Sequence, residues 1–514
     1  MSLNISKITA KLSRSPIIKG TIILTLAGMI GKILGFLYRI ILTRCIGSEE
    51  LGLYQVVLPI AGIIFSICCA GFQSAISRYT AKNPKDGVLW LVSSLIPSLS
   101  LSFAAMFITN IFSDVIAERI LLFKNAAPSV KMLSWSFPFI ALHDCGCGYF
   151  YGKKKTAVPA ISQLVEQIIR ISVLVLCSTI LTSTGSVMKP HHAIIGNIAG
   201  EAAASLYVIL FIMRSPDTFI HNRHILPAAI KESFFFSLPM SANSLLIHLF
   251  QSAEAVLIPA QLIIYGYTSA ESLKLYGILS GMVLPLIMFP SVLTGSLAVL
   301  LMPSVAENSS STKSTICRTI KMCISLGIYS ISAYYIFVAD IGKILFDEPL
   351  VYEFTRLLSW LCPFIYLSST MNSIINGAGK TTSTCIQNTL GIIIRLAALI
   401  ALVPIYGINA YLYGLLASKI IVCLIQYIQI SHLFHIKMDT GGWIIKSALY
   451  SVLSVTIAFI AGYIIENISA MSNTQMSALI TDTASLCLSA VIFFIQLYIL
   501  SRSTGADKIS DASS

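Results

Sequence analysis

The sequence predicts an all-α polytopic membrane protein of about fourteen transmembrane helices. Of its 514 residues, 56% are hydrophobic and 11% are charged, and the mean hydropathy is +0.84. Soluble domains carry about 25% charged residues, so a soluble fold is excluded. About fourteen apolar runs are long enough for the ~20 residues with which a helix crosses a bilayer. A β-barrel is excluded, because continuous runs such as Ile392–Val403 do not alternate apolar and polar residues. The runs centre near residues 31, 66, 99, 139, 170, 203, 245, 287, 326, 363, 394, 420, 454 and 489.

A duplication explains this helix order. Two stretches 225 positions apart share one pattern, namely Gly152, Lys155 and Arg170 in the first and Gly377, Lys380 and Arg395 in the second. Three further pairs have offsets of 222, 226 and 224, namely Leu53 with Leu275, Pro59 with Pro285, and Gly71 with Gly295. Because the shift equals six spans, we expect two parallel six-helix repeats that form two lobes, plus two extra C-terminal helices.

The repeat also predicts the boundaries of the segments along the chain. We expect a cytoplasmic N-terminal segment, an N-lobe of helices 1 to 6, a cytoplasmic linker, a C-lobe of helices 7 to 12, helices 13 and 14, and a cytoplasmic tail. In that order the predicted segments are 1–16, 17–214, 215–228, 229–436, 437–502 and 503–514.

The distribution of basic residues predicts the orientation. With the N-terminus in the cytoplasm, the cytoplasmic ends of the spans carry 21 Lys and Arg and the outer ends carry 8. This bias follows the positive-inside rule and predicts a multi-pass protein of the bacterial cell membrane with both termini cytoplasmic. It also accounts for much of the net charge of +12, so we expect the bilayer as a partner and no nucleic acid. A monomer is expected.

The sequence predicts no metal, no cofactor and no enzymatic site. Most of the twelve cysteines lie in apolar runs, where cysteine is a small hydrophobic residue. Cys145 and Cys147 are closer in sequence than the usual zinc pairs, and no Cys/His cluster completes a site. The chain also lacks the Gly-x4-Gly-Lys-Ser/Thr pattern of a nucleotide-binding loop.

Two cations of the first span are the first candidates for a substrate site. Lys32 lies 12 residues after Gly20, about 18 Å into the membrane and too deep to reach the headgroups easily. Gly28, Lys32, Gly35 and Arg39 follow one another on a single stripe of the helix. A Lys or Arg at the bilayer centre costs at least ~2.5 kcal/mol, so such residues usually serve a function. Pairing of Lys32 with a carboxylate, or an interfacial position for Arg39, is the structural alternative.

The two repeat-related arginines differ in their surroundings. Glu166 precedes Arg170 by one helical turn and predicts an ion pair. Arg395 has Gly391 at the corresponding position, so it must meet an acid on another helix, water or an anionic ligand. Arg170 and Arg395 are therefore further candidates for substrate binding.

Three acids lie in apolar spans and are candidates for ion coupling or charge pairing: Glu166, Glu201 and Glu254. Each can neutralise an arginine or carry the proton or cation of a coupled transporter. Membrane potential, H⁺ and Na⁺ all remain open as the energy source.

A family resemblance rests on the first two spans. Gly28, Gly31, Lys32, Gly35, Tyr38 and Arg39 are followed by Gly47, Gly52, Tyr54 and Gln55. This pattern resembles the sporulation-associated polysaccharide flippase branch of the MATE-like (MOP) exporter superfamily. Looser matches end spans four and ten, at Gly148–Gly152 and Ile375–Lys380.

The resemblance implies a flippase for lipid-linked saccharides, such as peptidoglycan precursors or related cell-wall polysaccharide intermediates. In such proteins basic residues of the first helices engage the diphosphate, which points here to Lys32 and, less directly, Arg39. Lys32 stands where relatives usually have arginine, which leaves the substrate open. The alternatives are a MATE-type multidrug/cation antiporter, with the acids as substrate ligands, and a non-transporting membrane scaffold for cell-wall synthesis.

Overall fold

A computed structural model describes residues 16–215, 225–306, 312–436 and 440–469, with short pieces between 484 and 496. All regular elements in these ranges are helical, so the predicted all-α class is confirmed. Apolar runs form helices here because lipid offers no partner to backbone N–H and C=O groups, which a helix satisfies internally.

The helices of the first half are broken by turns and by short π-helical segments. The first helix runs through two predicted spans and breaks only at Gly47, whose φ is +75°. The helices are α1 (Pro16–Phe65), α2 (Gly71–Lys82), α3 (Gly87–Ile111), α4 (Ala127–Ser134), α5 (Phe137–Gly152), α6 (Ala157–Ser183), α7 (Pro190–Met213), α8 (Leu226–Tyr265) and α9 (Ser269–Gly277). The π-helical segments are Ser66–Ala70, Ile116–Ile120 and Ile278–Val283.

The second half continues the same pattern of long helices. Its helices are α10 (Leu284–Met288), α11 (Ser291–Ala306), α12 (Thr312–Phe346), α13 (Leu350–Leu358), α14 (Cys362–Gly377), α15 (Thr381–Tyr406), α16 (Ile408–Phe434) and α17 (Thr440–Ser469).

Ten helical stretches of the described chain are long and apolar enough to cross a membrane. The stretch Leu26–Lys82 contains the first two predicted spans in one piece. Spans four and ten correspond to α5 and α14, which have only 16 residues each. Most of the fourteenth predicted span lies outside the described residues, as do most of the predicted N-terminal segment, the linker and the tail. The count of fourteen stays a prediction.

The chain divides into two compact units. The first comprises 1–282 with 396–411, and the second comprises 283–395 with 412–514. In the first unit α2 and α3 pack on α5, and α6 packs on α7 and α1. In the second unit α11 and α12 pack on α14, and α17 packs on α12. The lobe boundaries expected from the sequence stay predictions.

The predicted duplication is visible in the local structure of α5 and α14. Both helices have 16 residues and a proline in the first turn, and their first and last residues differ by 225 positions. Each ends in the same turn: the Lys155 N–H donates to Phe150 O at 2.9 Å, and the Lys380 N–H donates to Ile375 O at 3.1 Å. The residue before each lysine has positive φ. The sequence pattern therefore marks one folded motif that occurs twice.

Candidate functional site

The stripe on α1 places its two cations differently. Lys32 is exposed, and Arg39 is partly buried. The Arg39 Nη1 donates to the carbonyl of Ser280 at 3.2 Å, within the π-helical segment Ile278–Val283. Neither side chain has a carboxylate partner among the described residues. Both positive charges of the stripe are therefore uncompensated by acids in this part of the chain.

Beside Arg39, a buried polar network ties α1 to α7. Tyr38 and Tyr54 have their hydroxyl oxygens 3.1 Å apart. The Asn197 side-chain amide donates to the Tyr54 hydroxyl at 2.9 Å, and the Tyr38 hydroxyl donates to Asn197 Oδ1 at 3.4 Å. Each polar atom finds a partner within the triad, so three polar groups are accommodated among apolar helices.

Arg170 of α6 connects this network to an ion pair. Its guanidinium lies over the Tyr38 ring, 5.8 Å from the ring centroid, and its Nη2 pairs with Oε1 of Glu166. The predicted pair between positions 166 and 170 is thus confirmed. Arg170 Nε and Gln167 Oε1 are buried without hydrogen-bond partners in the described structure. The charge of Arg170 is largely committed to Glu166, which weakens its candidacy as a direct substrate ligand.

A second polar contact, which the sequence analysis did not predict, lies one helical turn away on α6 and α7. His143 of α5 lies between Glu201 and Ser162: its Nδ1 is 3.2 Å from Glu201 Oε2, and its Nε2 is 2.9 Å from Ser162 Oγ. The His143 side chain is 7% exposed and the Glu201 side chain 17%. A carboxylate accepts hydrogen bonds only, so this contact requires a proton on Nδ1 or on Glu201 itself.

Together these residues form a charged cluster, which we define as His143, Asp144, Glu166, Arg170 and Glu201. His143, Glu166 and Glu201 each place one ligand atom within 4.8 Å of the others, a spacing that can hold a cation. The cluster contains three carboxyl groups and one permanent cation, so its net charge is −2 when all three acids are ionised and His143 is neutral. Such an excess within a membrane favours uptake of a proton or a small cation.

Asp144 and His143 are the site residues that sequence reasoning missed. They are adjacent ionisable residues in the middle of the apolar helix α5, and this rarity was an available signal. Asp144 is partly buried and makes no hydrogen bond with the described residues.

The remaining predicted residues lie elsewhere. Glu254 of α8 accepts a hydrogen bond of 2.6 Å from the Tyr411 hydroxyl, within the first unit. Arg395 belongs to the second unit and is partly buried on α15, where it has an interaction partner. The structure thus brings Arg39, Arg170, Glu166 and Glu201 into one region of the first unit. It places Glu254 in a separate contact.

A polytopic helical membrane protein with charged groups packed between its spans is the class that this fold and this cluster define. Residues 17–309, more than half of the chain, match the model of the polysaccharide biosynthesis protein family. The chain belongs to that family.

Two kinds of relative support the assignment. Stage V sporulation protein B of Bacillus subtilis (strain 168) is 24% identical over 508 residues, which cover 95% of this chain and 96% of that protein. A solved structure of the lipid II flippase MurJ in an inward closed conformation aligns with a TM-score of 0.67 and 14% identity, over 94% of this chain and 99% of that one.

An inward-facing MATE family multidrug transporter of the MOP superfamily aligns with a TM-score of 0.63 and 14% identity, over 81% of this chain and 99% of that one. These structural likenesses show the fold. The family match and the similarity to the Bacillus subtilis sporulation protein confirm the resemblance found in the sequence.

Proposed function

We propose that the chain is an alternating-access flippase that moves a lipid-linked saccharide from the cytoplasmic to the outer leaflet of the bacterial cell membrane. Its substrate would be a peptidoglycan precursor or a related cell-wall polysaccharide intermediate, in line with relatives named for lipid II flipping and for sporulation. Transport leaves the substrate covalently unchanged, so no enzymatic step is involved. In this proposal both termini lie in the cytoplasm, and the working unit is a monomer.

The observation that carries the proposal is the pair of uncompensated cations on α1. Lys32 is exposed and Arg39 keeps most of its N–H donors free of partners among the described residues. A lipid-linked diphosphate needs positive charge within the membrane, where attraction is stronger than in water. Arg39 supplies a fork for phosphate oxygens and Lys32 a compact charge. Arg395 is a further candidate on α15.

The charged cluster is proposed as the ion-responsive element of the transporter. Its excess of carboxylates gives it an affinity for H⁺ or Na⁺, and its contacts tie three helices, α5, α6 and α7, to the state of His143 and Glu201. Uptake or release of the cation would change the packing between these helices. Glu254 is proposed as a structural acid, because Tyr411 already binds it.

Flipping of a fluorescent lipid-linked saccharide in proteoliposomes tests the proposal. Lys32→Ala should slow flipping by about 10- to 100-fold, since a hydrogen bond to a charged group contributes about 1.5–3 kcal/mol. Lys32→Arg should retain activity, and Lys154→Ala, at a turn outside the membrane, is the matched control. Unchanged flipping in Lys32→Ala would contradict the proposal that Lys32 belongs to the substrate site.

Gradients imposed across the same vesicles test the ion-responsive element. Glu201→Gln should lose the dependence of flipping on a pH or Na⁺ gradient, whereas wild type responds to one of them. A response that persists in Glu201→Gln and His143→Gln would exclude the cluster. Export of a lipophilic drug cation without flipping would instead favour the MATE-type antiporter.

A further inference from the structure

A large cavity with charged residues in its lining lies at the end of the first unit opposite the turn at Lys153–Lys155. It has a volume of about 930 Å³ and is built by the Gly47 break of α1, the connection after α3, and the starts of α7 and α9. Six charged side chains line it: Glu49, Glu50, Asp114, Lys124, Lys131 and Lys189. Under the proposed orientation this cavity opens on the outer face.

These six side chains are not joined in direct ion pairs. Oppositely charged groups on loops usually approach and form surface ion pairs, but none of the six forms an ion pair in the described structure. The cavity is thus lined with three ammonium and three carboxylate groups that are held in no direct ion pair, and Glu50 lies in the electrostatic field of Glu49 and Lys189. Its net charge is zero, because the single histidine of the lining, His191, is uncharged at neutral pH.

The lysines of the cavity are not explained by membrane topology. The outer ends of the spans carry 8 Lys and Arg against 21 at the cytoplasmic ends, as the positive-inside rule requires. Three of these eight, Lys124, Lys131 and Lys189, converge on this one cavity. Because Lys and Arg are scarce at the outer ends of the spans, the presence of three lysines around one cavity indicates a local function.

The balance of charge restricts the ligand. A purely anionic ligand would meet three carboxylates, and a purely cationic one would meet three ammonium groups, so either is disfavoured. A ligand with both ammonium and carboxylate groups can satisfy both halves of the lining. The volume is that of a small-molecule site, which typically measures about 300–1,000 Å³, and the concave shape differs from a flat protein interface.

We propose that the cavity binds a zwitterionic saccharide–peptide head group, the polar part of the transported lipid, on the side to which it is delivered. The lysines bind its carboxylates and Glu49 and Glu50 bind its ammonium group. The proposal rests on the proposed function and deepens it, because it restricts the substrate to saccharides that bear amino and acid groups. The cavity would be a second contact point for the substrate, far from Lys32 along α1.

Calorimetry on the full-length protein in detergent tests this site with a lipid-free disaccharide–pentapeptide that has a free amine and free carboxylates. Wild type should bind it, and N-acetylation of its amine should weaken binding about tenfold, the loss expected for one charge-assisted contact. In Glu49→Gln/Glu50→Gln the zwitterion should bind as weakly as the acetylated probe. Lys131→Gln/Lys189→Gln should weaken both probes. Glu118→Gln/Arg119→Gln, on the same face but outside the cavity lining, is the matched control and should bind normally.

Absence of binding up to about 10 mM probe, or an acetylation effect of equal size in wild type and Glu49→Gln/Glu50→Gln, would overturn the proposal. Melting temperatures of the variants check that they fold. Failure of the two proposals is distinguishable. Lys32→Ala should lose flipping and still bind the soluble probe, whereas flipping without any probe binding would refute the cavity alone.

Discussion

Gly52 of α1 and Gly277 of α9 lie in backbone contact at the crossing of their helices. A Cβ atom on Gly277 would lie 2.6 Å from the Gly52 nitrogen and 2.2 Å from the Ser48 carbonyl oxygen. A Cβ atom on Gly52 would lie 1.9 Å from the carbonyl oxygen of Leu273. Since backbone atoms cannot turn away as a flexible side chain can, only glycine fits at both positions.

Gly277→Ala should therefore lower the free energy of unfolding by about 1–3 kcal/mol or more, the usual cost of forcing extra atoms into a packed site. Thermal unfolding in detergent measures it. Gly31→Ala is the control, because no atom lies within 4 Å of the added Cβ, and alanine favours the helix by about 0.5–1 kcal/mol. Equal melting temperatures for Gly277→Ala and wild type would contradict the contact.

The pair Glu166–Arg170 should behave as a buried ion pair rather than as two independent groups. Arg170→Met leaves Glu166 without its cation and should cost about 3–5 kcal/mol. Glu166→Gln/Arg170→Met should recover most of that loss, because neither charge is left alone. A double variant as unstable as Arg170→Met would show that Arg170 is held by something other than Glu166.

Tyr411→Phe should destabilise the first unit by about 1.5 kcal/mol, because the partly buried carboxylate of Glu254 loses its 2.6 Å hydrogen bond. Flipping per folded molecule should not change, since Glu254 is assigned a structural role. Tyr413→Phe, at an exposed position on the same helix, serves as the comparison. Loss of transport in a stable Tyr411→Phe protein would instead make Glu254 part of the transport mechanism.

The repeated turn allows a reciprocal exchange. Lys154 has φ of +59° and its repeat partner Gly379 has φ of +78°. A side chain in this left-handed region costs about 1–2 kcal/mol, so Gly379→Ala should lower the melting temperature. Lys154→Gly should raise it slightly, since relief of strain exceeds the added freedom of the unfolded chain. Opposite signs at the two sites are the expected result, and equal signs would refute the structural equivalence.

The sequence predicted what short-range spacing determines. Glu166 and Arg170 are one turn apart on one helix, so their pairing followed from periodicity alone. The shared offset of 225 positions likewise predicted that α5 and α14 form equivalent helices, because local sequence specifies the helix bounds and the closing turn. The all-α class followed from hydropathy.

The same reasoning could not predict contacts between distant segments of the chain. His143 meets Glu201 across 58 positions, and Tyr411 meets Glu254 across 157. Such pairs depend on how helices rotate and pack, which periodicity does not determine. The joining of the first two spans with a single break at Gly47 was also missed, because the polar stretch 47–50 has the same sequence whether it forms a loop or continues into a helix.

His143 lies in the middle of the short helix α5, six residues after Phe137 and nine before Gly152. These separations correspond to about 9 Å and 14 Å along the axis. An ion that bound at Glu201 in the proposed role would thus cross roughly half of the electric field of the membrane from either face. A full crossing changes the energy of one charge by about 2.3 kcal/mol per 100 mV, so occupancy of the cluster shifts by about 1 kcal/mol for the same voltage. Under the proposed ion-responsive role, the depth of His143 would therefore make ion occupancy of the cluster depend on the resting potential of the cell.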